Sequence, residues 1–203
     1  LVDEAVRRLG LATRLLRNAI AQIQSRSLAP MLDATPPGRE VYARLGFRDV
    51  ESIGRWRACG SPPRTTARNV HSDDAMAEAG IAADAQAFGA DRRRLLADFR
   101  ARPGAVALSM PQAWLWSRAG RTATQIGPVI AERAIDAIAL CEEALDRIEG
   151  PVLLDVPDRE SELITFLRAR GFALERPLTR MALGTPPSTL GRSMRVIAGP
   201  ELG

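Results

Sequence analysis

The sequence predicts a mixed α/β protein, an α+β arrangement of helices on a mixed sheet. Two observations carry this. Short apolar runs bounded by turn residues alternate along the chain with longer stretches whose apolar residues recur every three to four positions. An internal repeat then presents the same strand–turn–helix order twice. Near the front the chain reads LAPMLDATPPGREVYARLGF, and near the back GPVLLDVPDRESELITFLRARGF. Leu32-Asp33 matches Leu154-Asp155, and Gly46-Phe47 matches Gly171-Phe172. An amphipathic helix precedes each segment, and aligning Asp33 with Asp155 sets Ala12 opposite Ala134 without a gap. Two related units in tandem follow from this self-similarity.

Element by element, Leu1 to Val6 reads as the end of a strand. Thr13 to Arg26 reads as a helix with Leu15, Leu16, Ala19, Ile20 and Ile23 on one face. Leu28 to Ala34 is a short buried strand. A Thr35-Pro36-Pro37-Gly38 turn follows, then a helix from Arg39 to Leu45 closed by Gly46, and a strand from Phe47 to Arg57. Cys59 to Asp74 is rich in Gly, Ser, Pro and Thr and reads as a linker. Beyond it, Asp74–Ala87 and Asp91–Arg102 are predicted helices, and Ala105–Met110, Ala113–Arg118 and Ala123–Ala131 predicted strands. Glu132–Ile148 is a strong amphipathic helix, with Ile135, Ile138, Cys141, Leu145 and Ile148 facing inward. A strand at Pro151–Val156, a helix at Ser161–Arg170 and a strand region at Phe172–Leu183 complete the second unit. The organisation is thus a front unit at 1–58, a linker at 59–72, a back unit at 73–184 and a Gly- and Pro-containing tail at 185–203.

Composition narrows the function classes. The 203 residues are 46% hydrophobic and 26% charged, ordinary for a globular chain. No apolar run reaches the length of a membrane span, and no secretory signal is visible, so a cytoplasmic location is the default. All 28 basic residues are arginine, but they are interleaved with acids and the net charge is only +4. There is no basic stripe with aromatics, which argues against a nucleic-acid partner. Two cysteines, Cys59 and Cys141, and the lone His71 supply neither a disulfide framework nor a metal site. Cys141 reads as a buried core thiol, and His71 as a solvated linker residue.

Chemistry concentrates in the front unit. Arg7-Arg8-Leu9-Gly10-Leu11-Ala12, followed by Thr13, opens the first helix. Unpaired N–H groups at a helix start attract an anion, glycine permits close approach, and two arginines add charge. At the corresponding place the back unit has Glu132 opposite Gly10, and an acid there would compete with a phosphate. Four residues before the Gly-Phe pairs stand Tyr42 in front and Leu167 behind. The front unit therefore keeps groups for anion binding and proton transfer that the back unit lacks. Other residues read as structural. Asp33 recurs in both units, Asp155 and Asp158 suit turn capping as well as a substrate site, Trp114 and Trp116 share one strand face, and Asp91-Arg92 suits a local pair or helix start.

These residues resemble the GNAT acyltransferase superfamily. Arg7-x-x-Gly10-x-Ala12 is similar to its [Q/R]-x-x-G-x-[G/A] acyl-CoA pyrophosphate loop. Ala34-Thr35-Pro36 to Gly38, then Tyr42 and Leu45-Gly46-Phe47, are similar to the strand–helix motif that follows. The whole chain resembles a bacterial subgroup with a second GNAT-like domain, through Phe88-Gly89-Ala90-Asp91-Arg92, Gln125-Ile126-Gly127-Pro128, Leu154 to Asp158, Pro177 to Met181 and Gly199 to Gly203. The resemblance implies a GNAT-like fold with a partial first domain, because the elements that precede the loop in that family would lie before Leu1. It implies transfer of an acetyl group from acetyl-CoA to a small-molecule or peptide amine, with no metal. Arg7, Arg8, Leu9, Gly10, Leu11, Ala12, Thr13, Ala34, Thr35 and Gly38 would hold the cofactor, and Tyr42 would protonate the leaving thiolate. The general base would lie in the absent part. An alternative, from another class, makes the back unit a non-catalytic module that binds a regulator, shapes the acceptor pocket or forms a homodimer surface.

Overall fold

Strict alternation along one strand shows how the sequence builds the sheet. In β4 (Ala113–Ala119), Trp114 and Trp116 face one side while Ala113 and Leu115 face the other, and all four are buried. Residues two apart share a face of a strand, so a strand apolar at every position must be covered on both sides. Helices supply that cover. α5 (Ala134–Arg147) and α6 (Ser161–Ala169) pack over Leu115, Val129, Leu154 and Val156, while α3 (Asp74–Phe88) and α4 (Arg93–Ala101) pack over Trp114, Trp116 and Ile130. Gly80 of α3 lies flat against both indoles, where an added Cβ would come within 2.5 Å of Trp114 and 2.7 Å of Trp116.

The computed structural model describes residues 9–58, 74–185 and 191–202, so the expectations for Leu1–Val6, Arg7, Arg8, Cys59 and His71 lie outside the described residues. The remaining elements are α1 (Leu11–Gln24), β1 (Met31–Ala34), α2 (Pro36–Ala43), β2 (Arg48–Ala58), β3 (Ala107–Met110), β5 (Thr124–Ala131), β6 (Val152–Pro157), β7 (Ala173–Ala182) and β8 (Met194–Val196). All eight strands form one mixed sheet ordered β1-β7-β2-β6-β5-β4-β3, with β8 on β5. Among the described residues only the β5–β6 pairing is parallel.

The order at one end of the sheet interleaves the two repeats. β7 of the back repeat lies between β1 and β2 of the front, and β2 of the front lies between β7 and β6 of the back. The central β2–β7 pairing is self-symmetric. Aligning Gly46-Phe47 with Gly171-Phe172 makes Ile53 equivalent to Leu178, and these two residues pair with each other. Even the irregularities match: the register slips at Val50 on β2 and at its equivalent Glu175 on β7. A local two-fold axis therefore passes between Ile53 and Leu178, and each repeat donates its last strand to the other.

Four sequence expectations need correction. The first strand starts at Met31, because Leu28 instead closes α1 by donating its N–H to the Ile23 carbonyl and stands exposed. The second helix starts at Pro36, since proline is compatible with a first helical position and Thr35 takes the extended N-cap conformation. Ile135 points to solvent, because α5 starts at Ala134 and its buried stripe runs through Ala137, Leu140, Cys141, Ala144 and Leu145. The stretch after residue 185 is not merely a tail: β8 and the following Ile197 and Ala198 are buried in the sheet.

Candidate active site

Gly10 is the residue on which the front loop turns. It caps α1 in the left-handed conformation at φ +74°, which glycine adopts without a Cβ penalty. A Cβ built there would meet nothing within 4 Å among the described residues. The first helical bond runs from the Arg14 N–H to the Gly10 carbonyl at 3.0 Å. The N–H groups of Leu11, Ala12 and Thr13 therefore have no intrahelical acceptor. Among the described residues no side chain caps them, and no acid stands in the first turn. The result is an open, partially positive helix end suited to an anion.

The other front-unit candidates gather at the end of β1. Ala34 is buried, and Thr35 turns the chain into α2. Gly38 lies beneath Tyr42, and an added Cβ would sit 3.2 Å from the tyrosine ring. Tyr42 is half-buried, its ring tilted 60° against Phe47 with centroids 6.0 Å apart. The Tyr42 carbonyl also accepts from the Leu45 and Phe47 N–H groups, which ends the helix and fixes the ring's base. Tyr42, Phe47 and Ala34 share one apolar cluster with Ile20 of α1 and Met181 of β7. The structure thus joins Tyr42 to the helix that Gly10 opens, through the strand donated by the back repeat.

The equivalent places in the back unit are filled by the chain itself. Asp136 stands in the first turn of α5, where Arg133 donates to both its oxygens and holds its carboxyl below the usual range. Arg195 donates to the carbonyls of Ala131 and Glu132 just before that helix. Parallel β5 and β6 pair only from Thr124 to Ile126 and from Val152 to Leu154, leaving the rest of their edges without each other. β8 enters there: Val196 pairs with Val129, Met194 with Ile130, and the Ile197 N–H donates to the Asp155 carbonyl at 3.0 Å. Gly127, at φ +143°, makes this passage possible, since a Cβ there would lie 2.1 Å from the Ile197 carbonyl oxygen. Leu167, in Tyr42's position, is fully buried.

Two buried ion pairs join the exchanged strands. Arg55 of β2 holds Asp155 of β6 with two bonds of 2.8 Å, and hydrogen bonding to that carboxylate raises the guanidinium's pKa. Gln125 donates a third bond to Asp155 at 3.0 Å. At the symmetric place Arg180 of β7 holds Asp33 of β1, again with two bonds of 2.8 Å. Asp33 is structural, as its recurrence suggests, and Asp155 belongs with it rather than with turn capping. Arg180 also starts a row of alternating charge across the sheet. It pairs across strands with Glu51, which is bonded to Arg159, followed by Glu160 and Arg195. Sequence reasoning missed both arginines, yet the repeat contained them: extending the Gly-Phe alignment sets Arg55 opposite Arg180.

The remaining candidates are scaffold. Trp114 and Trp116 are core residues, Asp91 accepts from the Arg93 N–H at the start of α4, and Arg92 pairs with buried Asp84. Cys141 is fully buried, and burial pushes its thiol up to about 12. Among the described residues no cluster of His, Cys, Asp and Glu could hold a metal ion, and no helix is long and apolar enough to cross a membrane.

The fold is that of acetyltransferases of known structure. A protein of Pyrococcus horikoshii described as an acetyltransferase superposes with TM-score 0.82 at 22% identity, over 100% of this chain and 69% of that one. A GCN5-related N-acetyltransferase from Sphaerobacter thermophilus gives 0.59 at 16% identity, covering 94% and 73% of the two chains. One from Kribbella flavida gives 0.58 at 14% identity, covering 87% and 76%. No curated protein matches. Residues 81–194, more than half the chain, match the family model described as the acetyltransferase (GNAT) domain, and the chain belongs to that family. The matched segment runs from within α3 of the back repeat to Met194, the first residue of β8, whereas the candidate loop and Tyr42 lie in the front repeat.

Proposed function

We propose that the chain is an N-acetyltransferase that passes an acetyl group from acetyl-CoA to a primary amine, and that its one acyl-CoA site is in the front unit. The observation that carries this reading is the contrast between the two equivalent helix starts. α1 opens on Gly10 with free N–H groups and no acid, while α5 opens on Asp136 with β8 and Arg195 packed against it. Members of the family use acetyl-CoA as co-substrate and act on small-molecule or peptide amines.

In this scheme the N–H groups of Leu11, Ala12 and Thr13 hold the pyrophosphate, and Arg7 and Arg8 add charge-assisted contacts. Leu9, Ala34, Thr35 and Gly38 shape the approach. The neutral amine attacks the thioester carbonyl carbon, a C–N bond forms and the C–S bond breaks. Tyr42 gives its phenolic proton to the departing thiolate, and the new ammonium loses one proton to water. A phenol is protonated at neutral pH and can donate.

The units at 1–58 and 73–184 are in this reading a tandem pair. The occupied splay between β5 and β6 favours a second role for the back unit as a non-catalytic module that completes the front sheet with β7. The test is kinetic. Tyr42→Phe should lower turnover on the order of a hundredfold while leaving acetyl-CoA affinity within about twofold. An unchanged rate removes Tyr42 as the acid.

A further inference from the structure

The second helix of the front unit starts differently from the first. α1 opens on the free N–H groups of Leu11, Ala12 and Thr13, whereas α2 opens on Pro36 and Pro37, which have none. The first helical bond of α2 runs from the Arg39 N–H to the Thr35 carbonyl at 2.9 Å. Gly38 therefore carries the one backbone donor of this helix start that lacks an intrahelical acceptor. Thr35 is the N-cap, where a threonine hydroxyl ordinarily accepts from such an N–H. Here its side chain makes no capping bond and stands exposed. Its Oγ1 instead shares a space with Tyr42. The point that a Gly38 Cβ would occupy lies 3.3 Å from Thr35 Oγ1 and 3.2 Å from Tyr42 Cε2.

Thr35, Gly38 and Tyr42 thus bring two hydroxyl-bearing side chains and one N–H to the space that the glycine leaves. The back repeat changes all three positions together. Extending the Gly-Phe alignment sets them opposite Glu160, Leu163 and Leu167. Glu160 is buried and bonded to Arg195, and both leucines are fully buried. An acid and two packed leucines do not suit an anion. In the front unit the donors decide what fits. Consecutive N–H groups, as on α1, suit the several oxygens of a pyrophosphate. One N–H with two hydroxyls suits a single-atom anion, because hydroxyls donate and bonding to the charged form stabilises it.

We propose that Thr35 is a further catalytic residue, its hydroxyl donating a hydrogen bond to the sulfur of the departing thiolate beside Tyr42 and the Gly38 N–H. This rests on the acetyltransferase reading and deepens its leaving-group step. When the C–S bond breaks, its electron pair goes to the sulfur. Tyr42 supplies the proton and Thr35 keeps its own. The tyrosine phenolate is then reprotonated from water, to which the new ammonium has given a proton.

The acidity of the thiol of bound coenzyme A tests this without any acceptor amine. The ultraviolet absorbance of the thiolate is followed against pH on the whole chain, with desulfo-coenzyme A as the blank. The bound thiol should titrate about one pH unit below that of free coenzyme A, the size expected of a hydrogen bond to a charged group. Thr35→Val keeps the shape and removes the donor, so it should move the titration most of the way back. Thr35→Ser should leave it in place. Both variants should bind desulfo-coenzyme A as tightly as the unaltered chain. A thiol equally acidic in Thr35→Val would overturn the assignment. Loss of desulfo-coenzyme A binding in that variant would overturn it too, because Thr35 would then hold the cofactor rather than the sulfur. Failure of the unaltered chain to bind coenzyme A would instead contradict the acyltransferase reading, and this step with it.

Discussion

Asp155 is fully buried, yet it is held by three donors, two from Arg55 and one from Gln125. Such a carboxylate is stable only while its partners stay. Arg55→Ala should therefore destabilise the fold by about 3–5 kcal/mol, whereas replacing Arg55 and Asp155 together by apolar residues should cost much less. Denaturant titration of the single and double variants checks this, and equal losses would contradict it. The same scale supplies a reactivity test. Burial raises the Cys141 thiol to about 12, so its thiolate is scarce throughout the neutral range. Peptide mapping after alkylation at pH 8 should find Cys141 unmodified in the folded protein and modified in denaturant. The buried position of Cys141 was legible from helical periodicity alone. Arg55 and Arg180 were not, because an arginine in a strand reads as a solvent-facing residue until its partner strand is known.

Elements with strong periodicity were read with the right type and nearly the right ends, as in α5, α6, β2 and β4. β8 escaped because three residues in a Gly- and Pro-containing stretch carry no period of their own. It is a strand because β5 and β6 diverge and leave backbone groups that must be paired. Gly127 records this contact: with the Ile197 carbonyl 2.1 Å from any Cβ, Gly127→Ala should expel β8 or distort β5. The expected result is a drop of several degrees in Tm and faster hydrogen exchange at Val129 and Ile130. Unchanged exchange there would contradict the close approach.

The exchanged strands make the two repeats depend on one another. β2 separates β6 from β7, so residues 74–203 alone would lack the strand between them. That fragment should aggregate or remain unfolded, and adding residues 1–58 should restore a soluble complex with the far-ultraviolet spectrum of the whole chain. A monomeric, cooperatively unfolding 74–203 fragment would contradict the exchange. The repeat itself was visible in the sequence, since Leu-Asp and Gly-Phe recur in order. Its interleaving was not, because two tandem units and two exchanged units have the same linear pattern; only the pairing of Ile53 with Leu178 separates them.

One acyl-CoA site in the front unit is the central claim, and stoichiometry tests it most directly. Calorimetric titration of the whole chain with acetyl-CoA should give one molecule bound per chain. Binding should be lost in Gly10→Glu, which gives the front loop the acid found at Glu132, and kept in Glu132→Gly. Two molecules per chain, no binding, or full binding by Gly10→Glu would contradict the account.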